Sequence, residues 1–348
     1  MTMNINNLSE FLAQSNCQFS VYDLGRKVCN ISNRFFKDIE LNQLPYPYPI
    51  QQHAFIALTF WQTDAQKEHF IWFLKMPLDE QGLLQIPAQI SFIQMVVEAL
   101  GEDLTAEVSD KLQERMASNP FLFKPSTEKL AIFNAMMNAR FIRPASSFYH
   151  GAQRYFSGLT SWNEWQEIGI QGIADLTARL DHDNNQQNLI NALPYLPQQP
   201  LQSLALCLEH QNKITPDLHQ AIATQIRGEL QENRQENAIL LLRALASSPS
   251  IAITKNLIEE QFSSDLIYNV HWYVGIAGRL WKVLEDETLL NRFLESLANN
   301  QAALFPQLFM DIVAIPLLRE KVLKQIRLPA RSPALTEAIG RLFSSSQN

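Results

Sequence analysis

Apolar positions in the second half of the chain recur in blocks. Helix-forming stretches restart near Pro200, Arg234, Leu266 and Asn300, a period of roughly 34 residues. Each block reads as a helix, a short break and a second helix, as in ILLLRALASSPSIAITKNLIEEQFSS and AGRLWKVLEDETLLNRFLESLANN. One helix pair cannot bury its apolar stripe alone, so neighbouring pairs are expected to stack into a solenoid. The length is close to that of tetratricopeptide repeats, but their W-LG-Y pattern and the ankyrin T-P-L-H string are both absent. Aliphatic ridges joined by short turns fit a HEAT-like array instead. Upstream of it, residues 127–141, 146–156 and 162–180 read as helices, and DHDNNQQN reads as a polar break before Leu189. A last helix is expected over residues 335–343.

The first hundred residues carry a different pattern. Leu8, Phe11 and Leu12 have helical spacing. Residues 18–23 and 26–31 read as two strands around a turn at Leu24-Gly25, where glycine can take a positive φ. Residues 34–41 read as a short helix with Asn33 as its N-cap. Proline at 45, 47 and 49 then favours an extended path. Residues 53–62 and 69–76 form a second predicted hairpin with a polar loop. Their runs AFIALTFW and FIWFLKM are almost continuously apolar, which predicts cover on both faces. Ile90, Ile93, Val97 and Leu100 mark the inner face of a covering helix that stops at Gly101. Residues 105–117 read as a further helix, followed by SNPFLFKPS as a packed junction. The fold class expected is an α+β domain over residues 1–120, with two β-hairpins and flanking helices, then an all-α, HEAT-like solenoid over residues 121–348. The chain is expected to be mostly helical overall.

Composition narrows the possible roles. A hydrophobic fraction of 46% over 348 residues is ample for a core, so extensive disorder is not expected. A net charge of −7 argues against a dedicated nucleic-acid binder, which needs a basic face. Three cysteines, Cys17, Cys29 and Cys207, form no C-x-x-C pair and suit a reducing compartment. Cys17 and Cys29 flank the first hairpin, which would allow them to lie near each other. The N-terminus lacks the basic region and apolar core of a secretory signal. No stretch reaches the roughly 18 uninterrupted apolar residues of a membrane helix; the nearest, VHWYVGIAGRLWKVL, carries His271, Arg279 and Lys282. A cytoplasmic protein without a membrane association is expected.

Signatures of chemistry are sparse. There is no G-x-G-x-x-G, Walker loop, H-E-x-x-H or G-x-S-x-G string, so no catalytic residue, cofactor or metal is assigned. His182 between Asp181 and Asp183 reads as a solvated loop before it reads as a ligand cluster. Asp23 and Arg26 lie across a tight turn, as an ion pair or as an anion site. Glu68-His69 opens an apolar strand, and a base at a strand end is the functional alternative there. With Lys75, the residues Asp23, Arg26 and His69 are the candidate ligand set. Tyr46 and Tyr48 of PYPYP serve either as a packed connector or as a ligand for a proline-recognising domain. His271, Trp272 and Tyr273 serve either as inter-repeat packing or as a recognition patch.

The strings YDLGR (22–26), PYPYP (45–49) and FIWFLKMPLDEQG (70–82) together resemble a bacterial family of similar length known only as domain of unknown function 3549. The resemblance covers the whole chain. It implies a bacterial cytoplasmic protein with no established activity and offers no catalytic motif to transfer. The function expected from the residues is a non-catalytic scaffold or adaptor that binds a protein partner through its helical array. Homo-oligomerisation stays open. The alternative is an enzyme or small-ligand sensor with its site in the α+β domain or at the domain junction.

Overall fold

The structure is a computed structural model that describes residues 7–62, 69–100, 119–247 and 251–344. It is mostly helical, with one small antiparallel sheet near the N-terminus. The chain divides into two compact units. The first comprises Met1–Ser126 with Ala314–Leu317, and the second Thr127–Val313 with Leu318–Asn348.

In the first unit the order is α1 (Leu8–Gln14), β1 (Cys17–Asp23), β2 (Cys29–Ile31), α2 (Asn33–Glu40), β3 (His53–Gln62), β4 (Phe70–Pro77) and α3 (Ile86–Leu100). The sheet order is β2-β1-β3-β4, antiparallel throughout. Both hairpins form as expected, but β2 keeps only three residues, because Arg26 leaves the strand to bond elsewhere. Side chains alternate between faces, and one face of the sheet builds the core. Val21, Ile56, Leu58, Phe60, Trp72 and Leu74 pack there with Phe11, Phe36 and Phe92.

The central strand β3 is buried on both faces over most of its length, as its continuous apolar run predicts. Strand β4 instead alternates, with Trp72, Leu74 and Met76 buried and their neighbours partly open. Its outer edge meets the segment between Pro120 and Pro125: Lys75 N donates to Phe121 O at 2.7 Å and Phe123 N to Phe73 O at 3.0 Å. The aromatic junction thus adds a short bridge to the sheet, Leu74 to Leu122. That bridge covers an edge that would otherwise present unpaired backbone.

Three local expectations change. Ser32, not Asn33, caps α2, its hydroxyl accepting from Phe35 N. The buried stripe of α3 is Ala88, Phe92, Ile93 and Val96, while Val97 is exposed. Several apolar residues on one helix allow more than one stripe, and the neighbouring sheet selects among them. Cys17 lies opposite Gln62 and Cys29 opposite Asp23. They therefore sit at opposite ends of β1, roughly 20 Å apart at a strand's rise per residue. The expected helix over residues 105–117 and the polar loop 63–68 lie outside the described residues.

The second unit begins with α4 (Thr127–Arg140), α5 (Tyr149–Phe156), α6 (Ile170–Ala178), α7 (Asn185–Ala192), α8 (Gln198–Leu208) and α9 (Pro216–Gln231). It continues with α10 (Gln235–Ala244), α11 (Ile251–Gln261), α12 (Val270–Gly278), α13 (Glu287–Asn300), α14 (Phe305–Ala314), α15 (Pro316–Gln325) and α16 (Pro333–Ser344). The stretch 162–180 is not one helix. A 3-10 helix over Trp162–Glu167 is broken from α6 by extended backbone at Ile168 and Gly169. The polar break also shrinks, because Asp183 and Asn184 take positive φ and α7 starts at Asn185. Asn and Asp are the non-glycine residues that adopt that conformation most readily.

First helices start at 198, 235, 270 and 305, and second helices at 216, 251, 287 and 316. Helix α8 packs on α6 and α10, and α10 on α12. The partner series runs α7 to α9 to α11. Several hydrogen bonds between elements span about this interval, within a wider spread that includes 29 and 40 residues. Tyr149 reaches Asp183, Arg243 reaches Glu209, Thr254 reaches His219 and Gln301 reaches Tyr268, at separations of 33 to 35 residues.

Candidate functional site

In the first unit, YDLGR and PYPYP are brought together. Strand β1 ends at Asp23, whose Oδ1 accepts from Gly25 N at 3.1 Å and from Tyr46 Oη at 2.6 Å. Its Oδ2 accepts from Lys27 N at 2.8 Å. Arg26 Nε donates to Pro49 O at 2.8 Å, and both charged side chains are buried. A Cβ on Gly25 would stand 3.1 Å from Asp23 Oδ1 and 3.5 Å from Tyr48 O, so the close approach of the two segments favours glycine there. Burial pushes the Tyr46 phenol well above its ordinary range, and the Asp23 carboxylate adds to this. Burial also raises Tyr48, helped by Cys29. The network ties the first hairpin turn to the proline segment, and its main polar atoms serve that junction.

The other two candidate ligands lie elsewhere. Lys75 pairs with Phe55, whereas Asp23 pairs with Ile56, so Asp23 and Lys75 occupy opposite faces of the sheet. Lys75 Nζ stands 5.8 Å over the Phe55 ring. His69 is half-buried just before β4, near the far end of β1 from Asp23. Asp23 and Arg26 therefore form one group, separate from His69 and Lys75.

The aromatic candidates are similarly divided. Trp272 and Tyr273 are fully buried on α12, and His271 alone of the three is exposed. Tyr273 donates to Ile267 O at 3.0 Å, lies 2.7 Å from Ser296 Oγ and packs its ring 5.8 Å from Phe293. Tyr46 is fully buried and Tyr48 half-buried, with the two rings edge to face at 6.4 Å.

A buried charged cluster in the second unit was not singled out by the sequence patterns. Glu209 is the C-cap of α8, and His210 follows it. Both are buried. Glu209 Oε1 lies 3.2 Å from His210 Nε2. Arg243, in the last turn of α10, grips the carboxylate with Nε at 2.6 Å and a second nitrogen at 3.1 Å. Arg279, the C-cap of α12, stands 3.7 Å away. Ser247 Oγ donates to the Glu209 carbonyl. Burial alone would raise Glu209. The His210 hydrogen bond and the Arg243 and Arg279 guanidiniums overcome it and hold the carboxyl down at about 2. Burial lowers His210 despite its carboxylate neighbour.

A signal for this cluster did exist. A glutamate at a helix C-terminus opposes the helix dipole, and arginines at the ends of α10 and α12 supply the compensation. The carboxylate thus joins the ends of α8, α10 and α12. Other titratable groups are engaged as well. Asp181 bonds Lys213 at 2.7 Å and His182 at 3.0 Å, and Asp183 accepts from Tyr149 at 2.9 Å. Among the described residues, no group of three or more His, Cys, Asp or Glu side chains is arranged to hold a metal ion. A cavity of about 20 Å³, lined by Thr254, Leu280, Lys282 and neighbours, has room for a single water. Among the described residues, no helix is long and apolar enough to cross a membrane.

The family described as "Protein of unknown function (DUF3549)" matches residues 3–343. No curated protein and no solved structure matches the chain.

Proposed function

The chain belongs to the DUF3549 family, and we propose that it is a non-catalytic scaffold or adaptor whose second unit is a HEAT-like solenoid that binds a protein partner. The observation that carries this reading is the repeat-length register of the second unit. Helix α8 packs on α6 and α10 and α10 on α12, α9 packs on α7 and α11, and several hydrogen bonds join residues 33 to 35 positions apart. Nearest-neighbour stacking of this kind builds an extended surface, which such arrays use for docking. The buried charges support the same reading. Asp23, Arg26 and Glu209 spend their polar atoms on backbone and neighbouring side chains, whereas a catalytic or ligand site needs polar groups converging on a cavity.

The test is purification of the tagged chain from its own host at native expression, with quantitative mass spectrometry. The scaffold reading expects a protein partner near one-to-one stoichiometry. A bait that elutes without a partner and carries a small molecule would transfer the weight to the enzyme or sensor alternative.

A further inference from the structure

The surface of the second unit carries an aromatic platform that its core does not require. Helix α5 ends at Phe156, and the chain reverses through Gly158 at φ 76°. The turn exposes Leu159, 73% open, and leads into the 3-10 helix of Trp162 and Trp165. The Trp162 ring is anchored edge to face on the buried Tyr155 at 5.3 Å, and Tyr155 Oη donates to Trp162 O at 3.0 Å. On Trp162 lies Tyr195, with ring centroids 5.9 Å apart and planes within 6°. Tyr195 belongs to a second short 3-10 helix, Leu193–Tyr195, and is 63% exposed. Two parallel rings, Trp162 half-buried and Tyr195 exposed, thus lie beside an exposed leucine, the kind of patch that marks an interaction site.

The surrounding charge selects the occupant. Glu164 and Glu167 are exposed on the same 3-10 helix as the tryptophans, and among the described residues neither side chain has a hydrogen-bond or ion-pair partner. Glu236 is exposed and reached by the neutral amide of Gln198, three residues past Tyr195. Against these three carboxylates stands Arg154, exposed on α5. An aromatic face with a net negative surround favours a cation that is itself flat and apolar on its faces. Guanidinium meets that requirement better than ammonium, because it stacks on rings while its edge bonds carboxylates.

We propose that the Trp162–Tyr195 platform docks a basic segment of a protein partner, an arginine flanked by apolar residues, with Glu164 and Glu167 as counter-charges. The proposal rests on the scaffold reading above and names the chemistry of its partner.

The experiment selects a phage-displayed library of random peptides against the full chain, in parallel with Tyr195→Ala and a Glu164→Gln/Glu167→Gln double variant. Far-UV circular dichroism confirms that each variant is folded. Tyr195 is exposed, so its removal spares the core. The expected result is enrichment of peptides with arginine beside an apolar residue. Tyr195→Ala should weaken a selected peptide at least about tenfold, and the double variant should remove most of the salt dependence. Enrichment of acidic or neutral proline-rich peptides, or no enrichment, would overturn the proposal. So would self-association of the wild type in sedimentation velocity that Tyr195→Ala abolishes, since the occupant would then be a second copy. A stoichiometric partner in the pull-down that Tyr195→Ala still retains would leave the scaffold reading standing and remove this one alone.

Discussion

Replacing Glu209 by alanine isolates the interaction that joins the ends of α8, α10 and α12. The carboxylate side chain is 2% exposed, while Arg243 and Arg279 keep 25% and 30% of theirs. The substitution removes two close bonds from Arg243 and one from His210. The arginines can recover water, but His210 is fully enclosed and loses its acceptor. Breaking a buried pair costs about 3–5 kcal/mol, and the partial exposure of both arginines places this case near the lower end, about 3 kcal/mol. Urea unfolding at neutral pH followed by far-UV circular dichroism measures it, with Arg243→Ala and the double variant closing a cycle. Residues in one such network couple by about 0.5–3 kcal/mol, and a value in the upper half is expected.

The pH dependence follows with a definite sign. The folded pKa lies below the ordinary 4.5, at about 2. The stabilisation is therefore present above pH 4.5 and is lost as pH falls from there towards 2. It amounts to roughly 3 kcal/mol. The reasoning fails if Glu209→Ala costs under about 1 kcal/mol, if the cycle is additive, or if the variant keeps the wild-type acid slope.

Glu40 has the opposite sign. Burial raises it from 4.5 to about 7 although Ser9 and Leu8 bond it, so its contribution is complete below pH 4.5 and is lost as pH rises through 7. Glu40→Gln should flatten the stability profile between pH 5 and 8, and a variant that keeps the wild-type slope would refute this. Trp272→Ala should destabilise by about 3–5 kcal/mol through the cavity it leaves. Trp272→Phe should cost clearly less, because the indole N–H has no partner to lose; equal costs in thermal unfolding would count against a purely packing role. Tyr46→Phe removes a buried donor to a carboxylate at 2.6 Å and should cost about 1.5–3 kcal/mol, measured by urea unfolding. Mild oxidation should leave Cys17 and Cys29 unlinked within one chain, and a Cys17–Cys29 peptide in non-reducing mass spectrometry would contradict the strand register.

Much of the fold was legible because it rests on local periodicity. The run of β3 announced burial on both faces. The spacing of Leu8, Phe11 and Leu12 marked α1, and the helix pairs from Pro200 onward announced their own interval. Errors arose where neighbours arbitrate. The choice between Ile90–Val97 and Phe92–Val96 as the inner stripe of α3 depends on the sheet beneath it. The cap of α2 shifted by one residue because serine and asparagine offer the same acceptor. The candidate residues fared unevenly for the same reason. Asp23 of YDLGR and Tyr46 of PYPYP are 23 residues apart in the chain, and neither string gave a hint that they bond.

The sequence by itself determined the four strands, the helices α1, α2 and α3 beside them, and the recurrence of helix pairs, since these follow from side-chain periodicity within short windows. Only the tertiary structure decided which charged groups meet and which aromatic rings stay open. Glu209, Arg243 and Arg279 converge because the packing of α8 on α10 and of α10 on α12 brings their ends together. Trp162 and Tyr195 form a platform because two short 3-10 helices from distant positions lie side by side. Such convergence depends on inter-helix geometry, to which no window of sequence is sensitive.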